Sequence, residues 1–231
     1  DPPSWLPRQR FWTVRARATV IAAGALERHI AFGDNDRPGV MTANAGRTYL
    51  NRFAIQAGEK IVIATNNDSA YATAADLAGA GASVTMLDSR HDIPLSLRSH
   101  CDTAGIVIRL DAAPMKALGG KTVSGLTTAI RQGNSWRAGE NTDCDLVLVS
   151  GGWSPVVHLL SHRGIKPVWH PELACFLAPA SDEPILATGS AAGVWDDAAC
   201  RASGEKTALE ALELIRNPAY RPAAQTPGNW D

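Results

Sequence analysis

The sequence predicts an α/β fold built on a parallel sheet, and the stretch from Lys60 to Asp88 carries this prediction. Residues 61–64 form a short apolar run without alternation, which is typical of a parallel strand buried on both faces. A polar turn follows, and apolar residues then recur at helical spacing until two glycines end the helix. Residues 84–87 form a second strand. The order strand, helix, strand is a βαβ unit, whose connection is right-handed.

The turn of this unit departs from the pattern that binds dinucleotides. Such turns have Gly-x-Gly-x-x-Gly/Ala, with an acidic residue about 20 positions later for the ribose. Here Thr65 and Asn67 replace the first two glycines of the motif. Ala70 provides the small residue at its third position, and Asp88 occupies the position of the acidic residue. Asn tolerates a positive φ better than other non-glycine residues, so we predict that Asn67 keeps the tight turn. Its side chain fills the space a pyrophosphate needs, so we interpret the unit as a dinucleotide fold with a damaged phosphate cradle, and a merely structural βαβ unit that binds no nucleotide stays open as the alternative.

Length and composition limit the class of protein. The chain has 231 residues, enough for one large or two small domains, and its net charge of -1 provides no attraction to nucleic acid or membranes. Since it also lacks a membrane-length apolar run and a signal-peptide pattern, we expect a cytoplasmic protein without a nucleic-acid or membrane partner. The four cysteines are widely separated, which excludes a Cys-x-x-Cys pair and suits a reducing compartment. The first residue is Asp1 rather than Met, and we expect the chain to be a fragment.

Two strands and a helix are predicted before the βαβ unit. The strands cover residues 11–14 and 18–22, and the second leads into the small residues Ala23 and Gly24. Small residues at the carboxyl end of a strand let a ligand approach the backbone, although a plain strand-to-loop exit explains them equally well. A dense turn cluster then precedes a helix predicted over residues 41–53.

Short strands and polar turns follow the βαβ unit. His91 and His100 have no partner at metal-ligand spacing, so we expect solvated loop positions and no metal site. No nucleophile elbow surrounds Ser150, and no catalytic residue is predicted. The predicted elements are strands at 106–110 and 146–149, an antiparallel meander over 113–118 and 123–129, mixed structure at 95–101, polar turns at 132–143, a short helix around 161–163 and a loop at 169–171.

A second stretch that indicates a ligand site runs from Ile185 to Gly193. Its short strand again ends in small residues, and a long helix is predicted over residues 194–215. Exposed N–H groups at a helix N-terminus attract anions, although Asp196 and Asp197 in the first turn would oppose a phosphate. Residues 217–231, rich in Pro and Gly, are predicted to form a linker.

Four motifs together resemble the α subunit of heterotetrameric sarcosine oxidase: residues 22–28, 35–41, 66–71 and 187–193. The likeness runs from Arg10 to Arg216, and its most specific part combines 35–41 with 65–71. Strands that end in small residues are shared by all flavoproteins with two dinucleotide folds, including thioredoxin reductase.

The resemblance implies a Rossmann-like FAD/NAD(P)-binding architecture with one domain inserted into another. A partial outer domain would comprise residues 1–49 and 172–216, the inserted NAD(P)-binding-like domain residues 50–153, and the connection residues 154–171. A glycine-rich βαβ unit before Asp1 and an aminomethyltransferase-like region after Asp231 would complete the subunit.

The resemblance also implies cofactors, partners and site residues. In this family the α subunit holds an NAD that is not turned over, while FAD and FMN lie on or are shared with partner subunits. The complex oxidatively demethylates sarcosine to glycine with hydrogen peroxide, and tetrahydrofolate captures the one-carbon unit. Matched by motif, the residues lining the outer-domain NAD site would be Ala23, Gly24, Gly189, Ser190 and Ala191.

Two alternatives differ in chemistry. A pyridine nucleotide-disulfide oxidoreductase-like flavoprotein would need a resolving thiol near the flavin, and the lack of Cys-x-x-Cys argues against it. A subunit of an amine or opine dehydrogenase of similar architecture stays open, because its distinguishing residues would lie outside this stretch.

Overall fold

The computed structural model describes residues 3–5 and 7–217, and the chain divides into two units. Unit 1 comprises residues 1–25 and 155–231, and unit 2 comprises residues 26–154. The chain passes between them at the short strands β2 (Ala25–Glu27) and β11 (Trp153–Pro155). The domain boundaries expected from the resemblance stay a prediction, and most of the expected linker, from residue 218 onward, lies outside the described residues.

Unit 2 is built on a five-stranded parallel sheet. The residues of β4 after Lys60 and all residues of β10 are buried, as expected for strands covered on both faces. In register, Ile61 pairs with Leu146 on one side and with Val84 on the other. The spatial order is β3 (Val40–Thr42), β10 (Leu146–Ser150), β4 (Lys60–Thr65), β5 (Ser83–Asp88) and β6 (Val107–Arg109).

Different layers cover the two faces of this sheet. Because side chains alternate along a strand, Ile61 and Ile63 face the helices, whereas Val62 and Ala64 face the meander. The helices are α1 (Ala43–Phe53), α2 (Ser69–Gly79) and α3 (Leu95–Thr103). The meander consists of β7 (Ala112–Gly119), β8 (Val123–Gln132) and β9 (Ser135–Thr142). The predicted βαβ unit and antiparallel meander are both confirmed.

Unit 1 contains two small sheets and a long helix. Its apolar core is formed by Ile21, Leu160 and Ile165. The parallel pair joins β1 (Thr19–Ile21) to β14 (Ile185–Ala187), and the antiparallel pair joins β12 (Val168–His170) to β13 (Cys175–Leu177). The helical elements are α4 (His158–Ser161), a 3₁₀ turn over Gly189–Ala192, and α5 (Asp197–Arg216).

Several predicted elements are wrong. Residues 11–14 form no strand, and Phe11 is 96% exposed. Residues 95–101 belong to α3, and residues 135–142 form the edge strand β9, whose polar composition reflects solvent exposure. The expected loop at 169–171 includes part of β12. There the rings of Trp169 and Phe176 pack edge to face, with their centroids 5.2 Å apart.

Two predicted helices begin later than expected. The first two residues of the predicted 41–53 helix belong to strand β3, so α1 starts at Ala43. The long helix starts at Asp197 because Gly193 adopts a φ of 81° and Asp196 caps the helix.

Candidate functional site

Unit 2 has the strand order that places ligands in other parallel sheets. Such ligands bind beyond the carboxyl ends of the strands, where the strand order reverses. Here this point lies between β4 and β10, because β5 and β6 extend the sheet on one side and β3 on the other. Thr65 and Ser150 end these two strands and pair in register. The turn between β4 and α2 therefore lies where a nucleotide would be expected.

Hydrogen bonds between the two strand ends bridge this crevice. The hydroxyl of Thr65 donates to the backbone oxygen of Ser150 at 3.2 Å. The amide of Asn67 donates to the same oxygen at 3.0 Å and to Ser150 Oγ at 3.2 Å. Its Oδ1 accepts from the N–H of Ser69 at 3.1 Å and from the Ser69 hydroxyl at 2.6 Å. The Asn67 side chain thus lies in the turn where a dinucleotide fold would bind a pyrophosphate.

The prediction that Asn67 keeps a left-handed turn is wrong. Among the described residues other than glycine, only Asp34, Ala54, Asp111 and Ala174 have a positive φ. Side-chain hydrogen bonds from Asn67 close the turn instead, and no left-handed backbone is needed there.

Asp88 is engaged by the protein itself and is not presented to a ribose. Its side chain is fully buried, and it accepts hydrogen bonds from Tyr71 Oη at 2.8 Å and Arg90 Nη2 at 2.8 Å. Burial and the Asp88 hydrogen bond raise the pKa of Tyr71, so the phenol stays protonated and donates. Arg90 also contacts Asp68 at 2.6 Å, and its pKa is raised mainly by the hydrogen bond to Asp88. This network uses the carboxylate that a dinucleotide fold would offer to the ribose.

A further hydrogen bond joins strand β11 to the start of α2. The indole N–H of Trp153 donates to the hydroxyl of Ser69 at 2.9 Å, and Ser69 is the first residue of the helix. Both strand ends and the helix N-terminus of unit 2 are therefore joined by their own side chains.

In unit 1, the two predicted ligand motifs come together. β1 and β14 run parallel with Ile21 opposite Ala187, and the N–H of Thr188 donates to the oxygen of Ile21 at 3.0 Å. A Cβ on Gly24 would lie 3.9 Å from Ser190 Oγ. The segments after the two strands are therefore adjacent.

The five predicted site residues differ in exposure. Ala23 is exposed, and Gly24, Gly189 and Ser190 are partly buried. Ala191 is 0% exposed, so it supports the turn from the protein interior. Gly24 and Gly189 have φ values of 77° and 61°, a conformation that favours glycine at both positions.

The backbone N–H groups expected to be free for an anion are satisfied by α5. The N–H of Gly189 donates to Ser203 Oγ at 3.2 Å, and that of Ala199 donates to the Asp196 carboxylate at 3.0 Å. These two N–H groups are therefore already paired within the protein.

Ser203 and Thr188 were missed by the sequence analysis. Both side chains are buried, and their hydroxyl oxygens lie 3.0 Å apart. The available signal was the spacing of Ser203 and Thr207, four residues apart on one face of a helix, and the structure shows this face buried, where hydroxyls require partners.

Three of the four cysteine thiols, those of Cys101, Cys144 and Cys200, have raised pKa values. Burial raises the pKa of Cys144 to about 12, and it also raises the pKa of Cys101. Burial and the charges of Asp197 and Asp196 raise the pKa of Cys200, against the opposing effect of the Ser190 backbone. Within the described ranges, no helix is both long and apolar enough to cross a membrane.

Comparison with protein-family models gives no match. The sarcosine oxidase α subunit of Rhizobium meliloti (strain 1021) is 39% identical over 217 residues, which cover 94% of this chain and 21% of that protein. The sarcosine oxidase α subunits of Corynebacterium sp. strains P-1 and U-96 are 36% and 33% identical, with 88% and 100% of this chain covered. These alignments cover 22% and 25% of the two proteins, so the chain spans about a fifth to a quarter of the curated relatives it matches.

Solved structures share the fold at low sequence identity. Thioredoxin reductases of T. acidophilum and Lactococcus lactis both give a TM-score of 0.66, at 15% and 18% identity, covering 89% and 86% of this chain and 67% and 66% of theirs. L-proline dehydrogenase of P. horikoshii gives a TM-score of 0.59 at 16% identity, and the match covers 91% of this chain and 36% of that protein's chain. The predicted fold class, a Rossmann-like FAD/NAD(P)-binding fold with an added antiparallel meander, is confirmed.

The resemblance inferred from the motifs is confirmed as well. Similarity to three sarcosine oxidase α subunits, at 33% identity or more, extends over at least 88% of the chain. This chain is therefore related to the α subunits of sarcosine oxidase over the part of them that it spans.

Proposed function

We propose that this chain is the NAD-holding part of a sarcosine oxidase α subunit, with the dinucleotide in unit 1. The observation that carries the proposal is the adjacency of Gly24 and Ser190 at the carboxyl ends of two parallel strands. Ligands of open α/β sheets bind beyond such strand ends. The missing side chain of Gly24 leaves the backbone open to close approach, and Ser190 supplies a hydroxyl beside it.

The closed crevice of unit 2 supports the same assignment. A nucleotide there would have to displace the Asn67–Ser150 hydrogen bonds and the ion pairs of Arg90 with Asp88 and Asp68. Asp88 is fully buried, so separating it from Arg90 would leave an uncompensated buried charge, which is strongly unfavourable. Unit 2 is therefore the structural half, and unit 1 is the cofactor half.

In this function the chain contributes binding and supplies no catalytic residue. The complex would oxidise sarcosine to glycine with hydrogen peroxide and pass the one-carbon unit to tetrahydrofolate, in the cytoplasm. FAD and FMN would lie on or be shared with other subunits of a heterotetramer. NAD would stay bound without turnover, held by Ala23, Gly24, Gly189 and Ser190, with Ala191 packed beneath them.

A disulfide reductase is disfavoured by the state of the thiols. That chemistry needs a thiolate near the flavin. Cys101 and Cys144 are buried with raised pKa values, and the pKa of Cys200 is raised as well.

A pair of glycine substitutions tests the assignment to unit 1. Gly189→Val places a branched side chain at a φ of 61°, which costs about 1–3 kcal/mol and fills the approach to the turn. Asn67→Gly removes the side chain that fills the crevice of unit 2. We expect Gly189→Val to lose NAD from the full-length native protein and Asn67→Gly to keep it, as measured by mass spectrometry of released cofactor.

The matched control is Gly204→Ala, in the interior of α5, where an added Cβ meets nothing within 4 Å. This variant should retain NAD and gain about 0.5–1 kcal/mol of stability. Stoichiometric NAD in Gly189→Val with a normal melting temperature, or loss of NAD in Asn67→Gly, would contradict the assignment.

A further inference from the structure

Ser203 makes an unusual contact for a serine inside a helix. Such a side chain commonly bonds back to the carbonyl four residues earlier in its own helix. Ser203 instead accepts the N–H of Gly189 at 3.2 Å and lies 3.0 Å from the hydroxyl oxygen of Thr188. At 1% exposure, it is shielded from solvent and from any ligand. Its hydroxyl therefore joins α5 to the segment that follows β14.

This contact stabilises the turn formed by Thr188 and Gly189. Thr188 is extended, with φ of -145° and ψ of 160°, and Gly189 follows with φ of 61°. The change of direction between these residues rotates the peptide group that carries the Gly189 N–H. Ser203 receives that N–H, so helix α5 fixes the first peptide group of the turn.

We propose that Ser203, together with Thr188, is a positioning residue for the dinucleotide site of unit 1. This inference rests on the proposed function. With its first peptide group tied to α5, the turn holds Ser190 Oγ beside Gly24. Ser203 acts through the turn and touches no ligand, so its loss raises the dissociation constant of NAD by loosening the turn.

Thr207 provides a matched control on the same helix. It is also 1% exposed, and its hydroxyl donates at 2.8 Å to the carbonyl of Ser203, within the helix. Ser203→Ala removes the bond to the turn, whereas Thr207→Val removes a buried hydroxyl bond that does not reach the turn. In the full-length native protein, we expect Ser203→Ala to weaken NAD binding about tenfold, equivalent to about 1.4 kcal/mol, and Thr207→Val to leave it unchanged.

Amide exchange at Gly189 gives a readout that a general loss of stability does not reproduce. In the NAD-free protein, Ser203→Ala should speed the exchange of this amide more than that of buried amides in β14, while Thr207→Val should leave the ratio unchanged. Thr188→Val is the second variant. It removes the other hydroxyl of the pair and should also weaken NAD binding. In the double variant, the combined loss should be smaller than the sum of the two single losses.

The outcomes separate the two proposals. If the native protein carries no NAD and calorimetry detects no binding, the proposed function fails. If the native protein binds NAD, and Ser203→Ala and Thr188→Val both bind it equally well, the positioning role is overturned. If Ser203→Ala does not fold, Thr188→Val alone decides: weakened binding with faster Gly189 exchange supports the role, and unchanged binding overturns it.

Discussion

The ion pair between His91 and Asp111 makes a charge-dependent contact on the surface of unit 2. His91 Nδ1 lies 2.6 Å from one carboxylate oxygen of Asp111, and Arg131 Nε lies 3.2 Å from the other. The hydrogen bond and the charge of Asp111 raise the pKa of His91 above its usual value. The pair is therefore tightest when the imidazole is protonated.

The pH dependence of stability follows from the direction of this shift. A folded-state pKa above the unfolded one gives a contribution that is full below the unfolded value, about 6.5, and fades as the pH rises through the folded value. We expect His91→Asn to lower the melting temperature more at a pH of about 5.5 than at about 9. The comparison variant is His100→Asn, an exposed histidine of α3. A His91→Asn effect that stays constant with pH would contradict the role of the charge.

Residue-level chemistry was only partly predictable. The substitution of both turn glycines at Thr65 and Asn67 predicts an altered phosphate cradle, and the structure has side-chain hydrogen bonds of Asn67 at this turn. The local pattern predicts a backbone role for Asn67, whereas the side-chain amide of Asn67 bridges to Ser150, 83 residues away in the chain. That contact depends on the adjacency of β4 and β10, which local periodicity does not show. Arg90, two residues after Asp88, was a usable sign that the acid is already paired, since alternate residues of an extended chain point to the same side.

At the scale of elements, one glycine sets how closely α1 approaches the sheet. A Cβ on Gly46 would lie 2.8 Å from Leu148 Cδ1 and 3.0 Å from Leu148 Cδ2. Leu148 is 0% exposed in the centre of β10, so its side chain has packed neighbours on all sides. The helix can lie on this strand because position 46 has no side chain.

Gly46→Ala should therefore destabilise the protein although alanine favours helices. Overpacking of this kind costs about 1–3 kcal/mol, more than the gain of about 0.5–1 kcal/mol from replacing a helical glycine. Shortening the facing side chain with Leu148→Val should recover part of the loss in the double variant, as measured by urea unfolding. Gly79→Ala, at the end of α2 where nothing lies within 4 Å, is the open-space control. Equal effects of the two glycine substitutions would show that the Gly46–Leu148 contact does not limit the approach.

Elements with a long periodic signal were predicted well, and those defined by pairing were not. The fully apolar runs of β4 and β10 bury both faces, which the sequence shows directly. The edge strand β9 is mostly exposed and polar, and its backbone bonds to β8 form it. Strand β12 likewise depends on its partner β13, through the opposed rings of Trp169 and Phe176. Cross-strand contacts of this kind decide strand formation as much as local propensity does.

At the scale of the whole molecule, unit 2 contains the elements that a self-sufficient domain needs. It contains the complete parallel sheet, the helices α1 to α3 and the meander, and buried side chains fill both faces of the sheet. The domain boundary expected from the resemblance begins at residue 50. A fragment cut there would lack β3 and the first seven residues of α1.

Two fragments test where the domain begins. The fragment 26–154 keeps β3 paired with β10, with Val40 opposite Val147 and Thr42 opposite Val149, and it keeps α1 on the core that includes Leu148. The fragment 50–153 leaves one edge of β10 unpaired and uncovers fully buried residues of that strand. We expect 26–154 to unfold in urea in one cooperative transition followed by circular dichroism. The fragment 50–153 should bind a hydrophobic dye and unfold without a sharp midpoint, because unpaired backbone groups and exposed apolar area both oppose folding. A cooperative transition of equal midpoint in 50–153 would place the boundary at residue 50 and make β3 and α1 peripheral to the domain.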